Sequence, residues 1–302
     1  MRSPALDALL GGLVDYAGLF PPAGLGMPEA VARYAAYREG AHRSMLGRFV
    51  LPVARLDEFA VALDRVWPRE GDAPRAARPW TLSVLAAATD AGALNAFNGW
   101  EEGRAVIDTV EAKAETTDAI GALASSLGAR FTVYVEVPVR EDPTALLSAI
   151  RARGLRAKIR TGGVTADAFP TPTEVLRFLV ACASLELPFK ATAGLHHPLR
   201  GEFALTYAAD SPRGLMYGFL NLFLAALFLR AGHESAVVAP LLEERDASAI
   251  DVTQDAIRWR GLRVDSATIA SARATFAGSF GSCSFEEPVR DLAALDLLPA
   301  PR

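Results

Sequence analysis

A parallel α/β barrel is the fold this sequence predicts, and three observations carry that expectation. Strand-like apolar runs alternate with helical patterns six times between Arg48 and Ala193, the rhythm of strand–helix–strand units. No Gly-x-Gly-x-x-Gly follows the first of these strands, which weakens the case for an open dinucleotide-binding sheet. Polar groups stand at the C-terminal ends of several successive strands, which suits a (β/α)8 barrel, where a site draws on many strand ends. An open doubly wound sheet is the alternative.

Up to about Gly40 the chain reads as two helices joined by Asp15-Tyr-Ala-Gly-Leu-Phe-Pro-Pro-Ala23. Residues 1–40 are therefore expected as an N-terminal helical extension, with a single barrel domain over 41–302. The joining segment is either a lid or a packed loop. Arg48 to Val53 is the first strand of the pattern, followed by an amphipathic stretch from Leu56 to Val66. Trp80 to Ala86 and then Ala105 to Lys113 are strand-like, each followed by a helix, near Ala91 to Asn98 and Thr117 to Leu127. Phe131 to Val137 is fourth, before a helix from Pro143 to Arg153. Leu155 to Thr161 is fifth, and Thr171-Pro172-Thr173-Glu174 supplies the cap and early proline of a helix running to Leu185. Phe189 to Ala193 is sixth. Beyond it, Leu215 to Leu229 is shorter than a membrane span and interrupted by Tyr217, Gly218 and Asn221, so a buried or interface helix is expected. Ile257 to Val264 reads as a hairpin turning at Arg260-Gly261. Asp265 caps a helix to about Thr275. Strands seven and eight have no clear position, and Glu70 to Pro79 reads as a polar surface loop.

Composition narrows the function classes. The chain has 302 residues, 51% of them apolar, enough for a large core. A net charge of −4 argues against a general nucleic-acid binder. Cys182 and Cys283 form neither a metal-type pair nor a disulfide framework, so a cytoplasmic setting is the default. Met-Arg-Ser-Pro-Ala-Leu-Asp at the N-terminus lacks a signal-peptide pattern. No cofactor and no membrane partner are expected, and a homo-oligomer is left open.

Chemistry concentrates in three strands. Tyr134-Val-Glu-Val-Pro138, Ala157-Lys-Ile-Arg-Thr-Gly-Gly163 and Phe189-Lys-Ala-Thr-Ala-Gly-Leu-His-His197 carry Glu136, Lys158, Arg160, Lys190 and Thr192 at alternate positions. Alternation across a strand gives each a charged face and an apolar one. Buried unpaired charge is costly, so these faces are expected to line a site. Lys190 is the leading catalytic candidate: apolar surroundings and nearby cations lower a lysine pKa and make an amine nucleophile. The competing assignment is a structural ion pair with Glu136. Three cations against one acid favour an anionic ligand over a metal ion.

Phe189-Lys-Ala-Thr-Ala-Gly194 resembles the Lys-Thr-Ser-Thr-Gly strand of deoxyribose-phosphate-type class I aldolases, matching at Lys190, Thr192 and Gly194. The resemblance implies a (β/α)8 barrel and a sixth-strand lysine forming a Schiff base, with Lys158 one strand earlier. It covers only these few residues, and the second lysine and late Gly-Gly phosphate loop of that family have no counterpart here.

The remaining candidates are weaker. Arg160-Thr161-Gly162-Gly163 could cradle a carboxylate or phosphate, or be an ordinary turn. Adjacent His196 and His197 point to opposite sides, so one is expected to reach the site as an acid, a base or a substrate contact. Glu111 and Lys113 share one parity at a strand end and could join a network with Lys158 and Lys190. Cys283 sits in an unusual loop, Phe280-Gly-Ser-Cys-Ser-Phe-Glu-Glu-Pro288, where a nucleophile would need a base beside it. The expected function is an enzyme acting on a small anionic, carbonyl-bearing metabolite, carbon–carbon lyase or isomerase in type. Lys190, Lys158, Glu136 and His196 are the catalytic candidates. The alternatives are a metal-dependent hydrolase or lyase using His196 or His197, and a non-catalytic ligand-binding barrel.

Overall fold

Short runs rich in valine, isoleucine and phenylalanine form strands because branched and aromatic side chains pack well on a pleated surface. The computed structural model describes residues 3–67 and 78–299, and in it eight parallel strands close into a barrel. In chain order they are β1 (Val14–Tyr16), β2 (Leu46–Pro52), β3 (Trp80–Leu85), β4 (Ala105–Lys113), β5 (Thr132–Glu136), β6 (Arg156–Arg160), β7 (Phe189–Thr192) and β8 (Ala277–Ser282). Each pairs with its neighbours in sequence order, and β8 closes on β1. The expected (β/α)8 barrel is the observed fold.

Helices follow the strands and form the outer layer. Leu56–Val66 turns Leu56, Phe59, Ala62 and Leu63 inward, the spacing of one helical face. Pro172–Ser184 starts at a capping box: Thr171 Oγ1 accepts from the Glu174 amide, and Glu174 accepts from the Thr171 amide. Ser266–Thr275 is capped by Asp265, whose carboxylate accepts from the Thr268 amide at 2.8 Å.

Two expectations about the chain ends change. The segment 1–40 does contain helices, Pro4–Leu10 and Met27–Glu39. Between them, however, Val14–Tyr16 enters the barrel between β8 and β2, so the segment is not an extension outside it. Three residues are too few for alternation to show. The strand carrying Lys190 is therefore seventh, not sixth, and the missing eighth is Ala277–Ser282.

The β7–β8 connection holds what made the C-terminal pattern irregular. An antiparallel pair, Gly201–Ala204 with Arg213–Met216, stands over the barrel mouth. Helix Phe219–Arg230 is buried at every position from Phe219 to Phe228. Its all-round apolar sequence is that of an internal helix, and among the described residues no helix is long and apolar enough to cross a membrane. A small sheet follows, with the expected hairpin turning at Arg260-Gly261. Residues 70–77 of the expected polar loop lie outside the described residues.

Candidate active site

Parallel register sets the charged positions side by side. Glu136 lies level with Lys158, Lys158 with Lys190, and Lys113 with Glu136. Alternation then turns the acids and ammonium groups of these strands into the barrel, where they form a chain. Lys190 Nζ donates to Asp15 Oδ2 and Glu111 Oε1, both at 2.6 Å. Lys158 Nζ lies 2.6 Å from the other Glu111 oxygen and 2.9 Å from Glu136 Oε2. Arg160 Nε donates to Glu136 Oε1 at 3.0 Å. Ser83 and Ser279 donate to Glu111 and Asp15, and the Arg48 amide donates to the second Asp15 oxygen.

Three carboxylates (Asp15, Glu111, Glu136) thus meet three cations (Lys158, Arg160, Lys190), with a fourth, the exposed Lys113, 3.8 Å from Glu136 at the edge. The expected excess of cations is corrected: Asp15 and Glu111 neutralise it. The expected lowering of the Lys190 pKa is corrected as well. Burial works against the ammonium, but the Asp15 and Glu111 carboxylates outweigh it, and the pKa is raised. Burial likewise opposes Glu111 ionisation, yet Lys158 and Lys190 hold its carboxyl well below the usual range. Glu136 is lowered in the same way by Lys158 and Arg160 against the effect of burial. A lysine held between two carboxylates stays an ammonium at neutral pH.

Above this floor, at the C-terminal strand ends, lies a cavity of about 310 Å³. Glu111, Lys158, Arg160, Thr192, His196 and Cys283 supply its polar wall; Phe20, Pro21, Pro22, Leu205 and Met216 supply an apolar one. The joining segment near Pro21 is therefore part of the cavity wall. Lys190 does not line this cavity and lies beneath it, fully buried. The Arg160 side chain is 45% exposed, whereas Lys158 is 4% exposed.

At the rim, after β7 and β8, stands a second group. His196 Nδ1 is 2.9 Å from Glu287 Oε2, and its Nε2 is 4.0 Å from Cys283 Sγ. Tyr207 Oη donates to Glu287 Oε2 at 2.9 Å and lies 3.6 Å from the same sulfur. Burial pulls the His196 pKa down, but hydrogen bonds to Cys283 and Glu287 overcome it and lift the pKa to about 9. His197 turns the other way: its Nδ1 meets Asp291 at 2.5 Å and its ring stacks on Phe203. Burial leads the lowering of its pKa, against the pull of Asp291.

The other candidates separate into cavity and support. Gly163 lines the cavity. Thr161 is buried and its hydroxyl donates to the Ala193 carbonyl at 2.7 Å. A Cβ on Gly162 would fall 2.4 Å from the Phe169 ring, so this glycine admits the ring. Lys113 is 72% exposed, 3.8 Å from Glu136, and outside the main cavity. Directly after β7 come Ala193 and Gly194, both with positive φ, 61° and 70°. A left-handed alanine is uncommon away from functional turns. Sequence reasoning missed Asp15 as a strand acid, and it missed Glu287 and Tyr207. Only the loop composition around Cys283 pointed toward that group.

No protein-family model matches the chain and no curated protein is similar to it, so the likeness to class I aldolases gains no support from comparison. Among the described residues no three or more His, Cys, Asp or Glu side chains form a group suited to a metal ion. Fold and site together define a class: a (β/α)8 barrel with a charged cavity at the end where barrel active sites form.

Proposed function

We propose that this protein is an enzyme acting at the carbonyl of a small anionic substrate held in the barrel mouth. One observation carries the proposal: Lys158, Arg160, Thr192 and His196 all face one cavity of about 310 Å³, the size of a small-metabolite site. Arg160 is the exposed cation of the charged chain, and its guanidinium is the group best suited to hold a carboxylate or phosphate. Lys158, paired with Glu111 and Glu136, is placed to stabilise negative charge that develops on the carbonyl oxygen. Such preorganised charge in a site shielded from water is a large catalytic term. His196 carries the proton, positioned by Glu287. Bond cleavage or proton transfer next to the carbonyl fits these roles, as in carbon–carbon lyases and isomerases.

This differs from Schiff-base chemistry, which needs a neutral amine. Lys190 has carboxylates at 2.6 Å on two sides and is not part of the cavity wall. The test is a panel of carboxylated and phosphorylated aldehydes and ketones, read by calorimetry and product mass spectrometry, with and without borohydride. Binding and turnover without a reduced adduct on either lysine is the expected outcome. A trapped adduct on Lys158 or Lys190 would sink the ammonium role, and failure of every anionic carbonyl compound to bind would sink the substrate class.

A further inference from the structure

Cys283 directly follows β8, faces the cavity, and is 6% exposed. Its sulfur has two polar neighbours, His196 Nε2 at 4.0 Å and Tyr207 Oη at 3.6 Å. Behind His196 stands Glu287, which takes Nδ1 at 2.9 Å and is itself held by Tyr207 Oη. With Nδ1–H given to the carboxylate, the tautomer assigned by this network leaves the Nε2 lone pair toward the sulfur. Thiol, imidazole and carboxylate therefore stand in the order of a nucleophile, its base and the group that orients the base. The contact with Cys283 and that with Glu287 are what raise the His196 pKa against its burial. Cys182 supplies an internal contrast: it is fully buried in helix Pro172–Ser184, and burial pushes its thiol pKa well up.

We propose that Cys283 is a covalent nucleophile that accepts an acyl group, with His196 as its acid and base and Glu287 as the residue positioning the imidazole. The identity of the acyl donor, an anionic acyl compound, rests on the function proposed above; the role of the thiol does not. The Cys283 thiolate attacks the acyl carbon, so a C–S bond forms. The bond to the leaving group breaks, and the leaving group departs with the Nε2 proton of the imidazolium. Water then adds to the thioester carbon while giving a proton to the neutral His196 Nε2. The C–S bond breaks, the thiolate and imidazolium are restored, and the acid leaves the cavity, losing its proton to solvent. The leaving group is carbon, oxygen, nitrogen or sulfur according to the donor, so carbon–carbon cleavage falls within the same scheme.

Two experiments on the intact chain test this. In the first, iodoacetamide is reacted at several pH values and the modified peptides are mapped by mass spectrometry. Cys283 should react while Cys182 stays unmodified, and the rate should be nearly flat across neutral pH. In His196→Gln the rate at pH 7 should fall about tenfold and its midpoint move up toward that of a free thiol, about 8.5. Equal labelling of the two cysteines, or a rate profile indifferent to His196→Gln, would overturn the proposal. In the second, nitrophenyl hemi-esters of short dicarboxylic acids are compared with neutral nitrophenyl acetate. A burst of nitrophenol with an acyl adduct on Cys283, absent in Cys283→Ser, is the supporting result. No adduct on Cys283 with either ester overturns it. An adduct from the hemi-ester that forms equally fast in Arg160→Ala supports the nucleophile while refuting the proposed anion anchor.

Discussion

Inside the barrel, acids and cations alternate until each carboxylate of the chain has a cation and each lysine two carboxylates. At the rim, Cys283, His196, Glu287 and Tyr207 also touch one another, but in a single line that ends on a thiol facing the cavity. The interior chain is closed: Glu111 and Glu136 are held below, and Lys190 above, their ordinary pKa values. The rim line ends on a thiol 4.0 Å from the imidazole, and the proposed chemistry requires a proton to move between them. Buried charge by itself therefore does not locate chemistry: the most buried lysine has its pKa raised between two carboxylates, while the groups proposed to react stand at the rim. A buried ion pair is likewise weak evidence of net stability, although removing one partner is strongly destabilising.

The largest effect expected from breaking this contrast is on turnover. His196→Gln should lower turnover about 10²–10⁴-fold, the range for a lost general acid or base, with the fold retained by circular dichroism. If turnover survived, the rim would join the floor as structure. Next comes the interior. Lys190→Met leaves Asp15 and Glu111 short of a cation and should cost about 3–5 kcal/mol of folding stability in urea titrations. A change within about 0.5 kcal/mol, the scale of ordinary surface substitutions, would mean the interior pairing contributes nothing. Arg160→Ala removes a half-exposed guanidinium and should weaken binding of an anionic substrate by about 1.5–3 kcal/mol, the worth of a charged hydrogen bond, as read by calorimetry. Stability should hardly move.

The two regions should also separate by pH. Glu111 and Glu136 have lowered pKa values. Their contribution is fully present above the ordinary carboxylate value of about 4.3 and is lost as pH falls through their lower folded values. Lys190 is raised, so its contribution is full below about 10.4 and lost only as pH rises through a higher value. His196 is raised to about 9; its contribution is full below about 6.5 and declines as pH rises to and through that folded value. Stability should therefore slope gently down from neutral to pH 9 in the wild type and stay flat there in His196→Gln. The same slope in both would assign it elsewhere. The smallest effect belongs to Tyr207→Phe, which loses its hydrogen bond to Glu287 at the rim. It should cost about 0.5–1.5 kcal/mol or less in stability and shift the pH midpoint of Cys283 alkylation. No shift would take Tyr207 out of the rim group.

Much of the interior was legible along the chain because strand alternation is a local rule. Glu136, Lys158, Lys190 and Thr192 could be assigned to one face from spacing alone, and Glu111 joined them by parity. Asp15 was hidden because its strand has only three residues, Val14–Tyr16, too short for a period to show. The expected pKa of Lys190 went the wrong way because Asp15 was hidden and spacing did not show that Glu111 meets this lysine at 2.6 Å. His196 and Glu287 are 91 positions apart, and no local pattern relates them. Their meeting depends on β8 pairing with β7, which sets the helix after β8, Glu286–Ala294, beside the loop after β7.

By itself, then, the sequence determined the alternation of strands and helices, favoured a barrel over an open sheet, and indicated the side of each strand that carries charge. Those follow from periodicity and side-chain size, which act between near neighbours. Tertiary structure alone decided which acid meets which lysine, that Lys190 lies under the cavity while Lys158 faces it, and that Cys283 has a histidine and a carboxylate behind it. Protonation depends on distances of a few ångströms between residues far apart in the chain, and only the closed barrel sets those distances.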